Sequence, residues 1–114
     1  TGMWANKLVK GEVHPPHTHS NNIFSGVYYL EGGSQIQFFD PRPQASVFQT
    51  NVTKVTQSNA SMLAFDSQKG AGLIFPSWLT HWVPVTDKTR ISISWNILLR
   101  GDYGQPNTLQ NSHI

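Results

Sequence analysis

Between Arg90 and Ile97 the chain reads RISISWNI, and this alternation limits the possible folds more than any other stretch. In an extended strand Ile91, Ile93, Trp95 and Ile97 fall on one face, and Arg90, Ser92, Ser94 and Asn96 on the other. The polar face is either the wet outside of a sandwich or the lining of a polar cavity, and the pattern alone leaves both open. If it lines a cavity, the Ile and Trp face needs a cover of its own, because an apolar patch of that kind is rarely left bare. No stretch of the 114 residues reads as an amphipathic helix that could supply one. The expected cover is a second copy of the chain, in a homodimer over the Ile91/Ile93/Trp95 face, or a helical segment outside this sequence.

The remainder of the chain reads as further short strands: Trp4 to Lys10, Ile23 to Leu30, Ser34 to Phe39, Ala45 to Val55, Gly72 to Pro76, Thr80 to Pro84, with Arg90 to Arg100 as the last. Turn signals separate them at Gly32-Gly33, Asp40-Pro41-Arg42-Pro43, Lys69-Gly70 and Thr86-Asp87-Lys88. Many short strands with regular punctuation predict an all-β sandwich or barrel, of which the jelly roll is the compact form. The length predicts a single domain over residues 1–114 with one modest core.

Composition removes several classes of function. Eight Lys and Arg against six acids are spread thinly along the chain, which gives nucleic-acid or membrane binding little support. No apolar run reaches the length of a membrane-spanning helix, and the opening TGMWANKLVKG lacks the apolar core of a signal peptide, so a soluble intracellular protein is expected. The absence of cysteine excludes disulfides, thiolate metal sites, iron–sulfur clusters and thiol nucleophiles. Gly32-Gly33 is not followed by the Lys and helix of a phosphate loop, and no serine sits in a nucleophile elbow.

Any metal must therefore be held by His, Asp or Glu, and three of the five histidines crowd into HPPHTH at His14, His17 and His19. His17 and His19 are two apart, so in extended backbone both leave the same face, and Pro15-Pro16 favours that geometry. His14, three before His17, is expected to point away and to lie at the surface or behind the ligands. His81 is the candidate third ligand, since it follows the apolar GLIFPSWLT and a Pro-marked turn. His113, next to the last residue, is the weaker choice. Nine residues beyond His81, Arg90 opens the alternating strand. An arginine facing a cavity is costly unless it meets an anion, and its planar fork suits a carboxylate. Ser92 projects from the same face and adds a hydroxyl. A surface Arg90 paired with Asp87 is the plainer alternative.

These residues together resemble the 2-oxoglutarate/Fe(II)-dependent oxygenases, particularly the prolyl-hydroxylase-like branch. More narrowly, HTHSNNIFSGVYYL, FFDPR, GLIFPSWLTHWVP and RISISWNI are similar to segments of the short oxygenases of that superfamily from marine phages and bacteria. The likeness runs from about Trp4 to Asn96. It implies a double-stranded β-helix, the cupin-like jelly roll, with Fe(II) held by His17, His19 and His81 at one open end. It also implies 2-oxoglutarate bound through Arg90, Ser92 and Tyr29, and O2 as the second cosubstrate. The implied reaction converts 2-oxoglutarate to succinate and CO2 while hydroxylating a C–H bond of a small-molecule or peptidyl substrate. The implied location is the cytoplasm of a bacterium or phage-infected cell. Phe75, Trp78 and Trp82 are candidates for the walls of such a site, or for the core.

One position departs from the family pattern. The usual site has two histidines and a carboxylate, and His19 stands where the carboxylate is expected. Three neutral imidazoles leave the full charge of a divalent ion in place, so a dianionic cosubstrate would supply the compensation. The same departure keeps two other readings open: a three-histidine cupin-type dioxygenase that uses no 2-oxoglutarate, and a non-catalytic metal-binding barrel.

Overall fold

The polar face of RISISWNI points inward. In the computed structural model, which describes residues 2–114, Arg90 and Ser92 are buried while Ile91, Ile93 and Trp95 on the opposite face are only half-buried. The strands are β1 (Gly2–Leu8), β2 (His14–His17), β3 (Phe24–Glu31), β4 (Ile36–Phe39), β5 (Met62–Phe65), β6 (Gly72–Pro76), β7 (His81–Val83), β8 (Arg90–Ile97), β9 (Asp102–Tyr103) and β10 (Ser112–His113). They form two antiparallel four-stranded sheets, ordered β1-β8-β3-β6 and β2-β7-β4-β5, and a small β9-β10 hairpin. Neighbours in both large sheets come from distant parts of the sequence, as expected of an all-β jelly roll.

Register fixes which side chains face the interior. Within the first sheet Tyr29 pairs with Ser92, Val27 with Ser94 and Ser25 with Asn96, while Trp4 and Asn6 of β1 lie opposite Ser94 and Ser92. Val27, Tyr29, Ile36, Phe38 and Phe75 form the core between the sheets, with Leu73 and Leu79 packed against it. The rings of Phe38 and Phe75 meet edge to face with centroids 4.9 Å apart, a geometry their quadrupoles favour. Replacing Phe38 by Ala is expected to destabilise the fold by about 3–5 kcal/mol through the cavity left between the sheets. A denaturant titration of the variant measures that loss.

The outer face of the first sheet is apolar and open. Met3, Phe24 and Ile74 are 72%, 42% and 68% exposed, and the Trp95 indole closely approaches Gly26, where a Cβ would come within 2.2 Å of it. Gly26 is thus a position where close approach, rather than backbone conformation, requires glycine.

Three expectations need correction. Ala45 to Val55 does not form a strand: Pro43–Val47 is a 3-10 turn, residues 48–61 are irregular, and the next strand, which pairs with the edge of β4 away from β7, is β5 at Met62–Phe65. The β-branched residues of FQTNVTKVT raise strand propensity, but Val47, Phe48 and Val55 remain exposed and the segment has no sheet partner. The last long strand stops at Ile97 rather than Arg100, and the short β9 and β10 follow it.

The third correction concerns His14. His14 pairs with Val83 and His17 with His81, so three steps along β2 match two along β7. The extra residue is a bulge, and it falls where Pro15 and Pro16 cannot donate to the ladder. It reverses the alternation expected for an even strand, so that His14 lines the same cleft as His17. Among the described residues no helix is long and apolar enough to cross a membrane.

Candidate metal centre

His17, His19 and His81 converge on one point between the sheets. One ring nitrogen of each lies within 4.8 Å of the other two. His17 comes from the end of β2, His81 from the start of β7 beside it, and His19 from the turn after β2, where its backbone N–H donates to the Ser77 carbonyl at 3.0 Å. His113 is elsewhere, paired with Asp102 at 2.7 Å in the exposed β9-β10 hairpin.

The hydrogen bonds orient two of the rings for ligation. His17 Nδ1–H donates to the Pro15 carbonyl at 2.7 Å, and His81 Nδ1–H to the Leu79 carbonyl at 2.9 Å. A proton fixed on Nδ1 leaves the Nε2 lone pair free, which is the arrangement a metal-binding histidine needs. His19 Nε2 lies 3.2 Å from His81 Nε2. At metal–nitrogen bonds of about 2.1 Å, two imidazoles bound to one ion stand about that far apart. That pair already has the spacing of two ligands on a first-row divalent cation, with a nitrogen of His17 within 4.8 Å of both.

Burial disfavours the charged form of His81 and His19. Burial pushes the His81 pKa down to about 4, against the bond to Leu79 and with the help of the neighbouring histidines. Burial also lowers the pKa of His19 and of His14, whose ring stacks on His17 with centroids 4.5 Å apart. Because the folded pKa of His81 lies below the unfolded value, the unfolded chain takes up protons first as the pH falls. The stability that His81 contributes is therefore fully present above about pH 6.5 and is lost progressively between there and about pH 4. The metal-free protein is expected to melt at lower temperature at pH 5 than at pH 7, and His81→Leu should flatten that dependence. Calorimetry at the two pH values measures both effects.

In the same cleft Arg90 is only 3% exposed, and none of the ion pairs among the described residues involves it. No Asp or Glu lines the cleft. The guanidinium lies over the Tyr29 ring, 5.0 Å from its centroid, and its Nε–H donates to the Ser34 carbonyl at 3.3 Å. The expected alternative of a surface Arg90 paired with Asp87 does not hold. Burial lowers the Arg90 pKa and raises that of Tyr29, with the Arg90 charge opposing the latter. The Tyr29 hydroxyl is buried and has no hydrogen-bond partner. Ser92, 1% exposed, completes a polar surface with no counter-charge.

The turns behind Arg90 hold its stem. A Cβ on Gly33 would come within 2.8 Å of Arg90 Cβ and 2.5 Å of Thr86 Oγ1, so Gly33 is required for close approach. Gly33→Ala is expected to displace Arg90 and to weaken anion binding in the cleft, with little change in metal binding.

The aromatic expectations divide. The Phe75 ring stands edge-on to His81 with centroids 4.8 Å apart and walls the cleft. Trp78 is 62% exposed, and the Trp82 indole donates to Gln37 on the outer side of the second sheet, so neither lines it. Sequence reasoning missed Trp4, Asn6, Ser25 and Ser77 near the site and gave Ser94 and Asn96 a face but no role. For Ser94 and Asn96 the alternation of β8 was the available signal. For Ser25 and Ser77 there was none, since their roles follow from the pairing of distant strands.

Comparison with solved structures agrees with the fold. An oxidoreductase of the 2OG-Fe(II) oxygenase family from Burkholderia pseudomallei superposes with a TM-score of 0.61 at 14% identity, over 82% of this chain and 41% of its own. The chain thus spans less than half the length of that protein. The capsular polysaccharide assembling protein CapF from Staphylococcus aureus superposes with a TM-score of 0.52 at 13% identity, over 98% of this chain and 27% of its own. An RmlC-like cupin from Desulfovibrio desulfuricans has a TM-score of 0.46 at 18% identity, over 81% of this chain and 68% of its own. None of the curated proteins matches the chain. Residues 2–96, most of the sequence, match the family described as "Putative 2OG-Fe(II) oxygenase", and the chain belongs to that family.

Proposed function

We propose that the protein is an Fe(II)- and 2-oxoglutarate-dependent dioxygenase in which His17, His19 and His81 hold the metal, and Arg90, Tyr29 and Ser92 hold the cosubstrate. The observation that carries this reading is the buried Arg90, which has no carboxylate partner and lines one cleft with the three imidazoles, its guanidinium over the ring of the buried Tyr29. Burying a guanidinium without a carboxylate of its own is costly, and an anion from outside that meets its fork offsets that cost.

With Fe(II), 2-oxoglutarate and O2 bound, the site supplies oxidative decarboxylation to succinate and CO2, coupled to hydroxylation of a substrate C–H bond. The chain's own contribution is position and environment. Arg90 offers its planar fork to the distal carboxylate, and Tyr29 and Ser92 donate hydroxyl hydrogens to the same group. Phe38, Phe75 and Val83 keep water from the interior side of the histidines. The Pro15 and Leu79 carbonyls hold His17 and His81 in the ligating tautomer. Because the three ligands are neutral, the carboxylate of 2-oxoglutarate that Arg90 does not hold would be the one negative charge offsetting the ion, and cosubstrate binding should depend strongly on metal.

The test is turnover of 2-oxoglutarate in air with Fe(II) and ascorbate, with succinate measured by NMR. Several equivalents of succinate per protein, lost in Arg90→Ala, are expected. Succinate no higher than in a protein-free control contradicts the reading. The absence of a carboxylate from the cleft favours one second reading, a three-histidine dioxygenase that binds its substrate directly to iron. In that case Fe(II) binds but 2-oxoglutarate does not, and Arg90→Ala impairs use of the substrate instead.

A further inference from the structure

The three imidazoles are not held alike. Backbone carbonyls two residues upstream fix His17 and His81, at 2.7 Å and 2.9 Å. His19 Nδ1 faces instead the side-chain amide of Asn96, at 3.5 Å. That amide is bonded to Ser25 Oγ at 2.6 Å, and Ser25 Oγ to Ser77 Oγ at 2.8 Å. Ser25 and Ser77 are 1% and 0% exposed. Ser77 also accepts the backbone N–H of His19, so ring and backbone of this one histidine are tied to the same serine by a closed circuit.

Resting on the assignment of the triad as a metal site, we propose that Asn96 is the positioning residue for His19 and that its amide orientation selects the ligating tautomer. With the amide NH2 toward His19, the imidazole carries its proton on Nε2, directed at His81 Nε2 3.2 Å away. With Oδ1 toward His19, Nδ1 carries the proton and donates it to Asn96, and the Nε2 lone pair is free for the metal. A half-turn of the amide exchanges the two states.

Ser25 accommodates either state, because a hydroxyl both donates and accepts. In the second state Asn96 Nδ2–H donates to Ser25 Oγ, Ser25 O–H donates to Ser77 Oγ, and every member of the circuit remains paired. The ring proton balances as well: one leaves Nε2 to solvent as the metal enters, and Nδ1 takes one from solvent. His19 is the residue in the position where the family pattern has a carboxylate, which needs no tautomer. Asn96 supplies the selection that an imidazole there requires.

The test is anaerobic titration with Fe(II), and with Co(II) as a coloured probe, of the wild type, Asn96→Ala, Asn96→Asp and His81→Ala, each checked for folding by circular dichroism. Asn96→Ala should bind both ions about 10–100-fold more weakly, the usual effect of losing a partner behind a metal ligand. Asn96→Asp, which accepts the same Nδ1–H through a carboxylate, should bind within about threefold of the wild type or more tightly. The Zn(II)-loaded wild type should show a slowly exchanging Nδ1–H on His19 by 15N NMR. Wild-type affinity in Asn96→Ala, or an Asn96→Asp as weak as the alanine variant, overturns the proposal. His81→Ala separates the two levels: if it loses metal while Asn96→Ala does not, only the role of Asn96 fails. If His81→Ala binds as the wild type does, the metal site itself is wrong.

Discussion

His81→Ala should abolish stoichiometric Fe(II) binding, weakening it by at least about 100-fold. His81 is the buried member of the triad, with Nδ1 committed to the Leu79 carbonyl and Nε2 at the point shared with His19. Partners behind a ligand alone are worth about 10–100-fold in affinity, so loss of the ligand costs at least the upper end of that range. The substitution also removes a ring that packs on Phe75 and Phe38, at centroid distances of 4.8 Å and 5.8 Å, and some loss of stability should accompany it. His81→Gln, which keeps more of the volume, separates the two effects. It should restore part of the melting temperature and little of the metal affinity. Equilibrium titration with Fe(II) and a thermal melt of both variants provide the comparison, and full retention of metal by either contradicts the triad.

Arg90→Ala should leave Fe(II) binding near the wild-type value and weaken 2-oxoglutarate by roughly 100-fold. A hydrogen bond to a charged group contributes about 1.5–3 kcal/mol, and a forked contact supplies two, so a loss of about 3 kcal/mol is a conservative figure. Arg90 lies in a part of the cleft with no acid to hold it, so the truncation strands no carboxylate of the protein. Arg90→Lys should recover only part of the affinity, because an ammonium cannot reproduce the planar fork. Tyr29→Phe should produce a smaller loss than Arg90→Ala, since it removes one neutral donor. A competition assay at fixed Fe(II) measures all three.

Much of this site was legible in the sequence because it rests on local pattern. Alternation in β8 placed Arg90 and Ser92 on one face, and the two-residue spacing of His17 and His19 placed their rings together. Whether that polar face was wet or enclosed was not local information. It depends on β1 and β3 flanking β8, and so on contacts between residues 60 to 94 positions apart. His14 was misread for a related reason. The bulge that turns it into the cleft is visible only as a mismatch between β2 and β7. The segment from Ala45 to Val55 failed in the other direction. Its residues favour a strand, but propensity makes a strand only where a neighbouring edge is free to pair, and β5 occupies that edge of β4. The alternation of β8 put Asn96 on the polar face, but Ser25 and Ser77 come from a separate strand and turn, and nothing in their own neighbourhoods places them behind His19.

His19 gives the account its most exposed point, because a third imidazole alters both the charge at the metal and the demand on the cosubstrate. The most direct measurement is an anaerobic titration of the Fe(II)-loaded protein with 2-oxoglutarate, followed by the visible metal-to-ligand charge-transfer band, in the wild type and in Arg90→Ala. The account predicts a band that saturates at one equivalent in the wild type and needs roughly 100-fold more ligand in the variant. Bound iron with no band at any concentration of 2-oxoglutarate would contradict it and favour direct binding of substrate to a three-histidine metal.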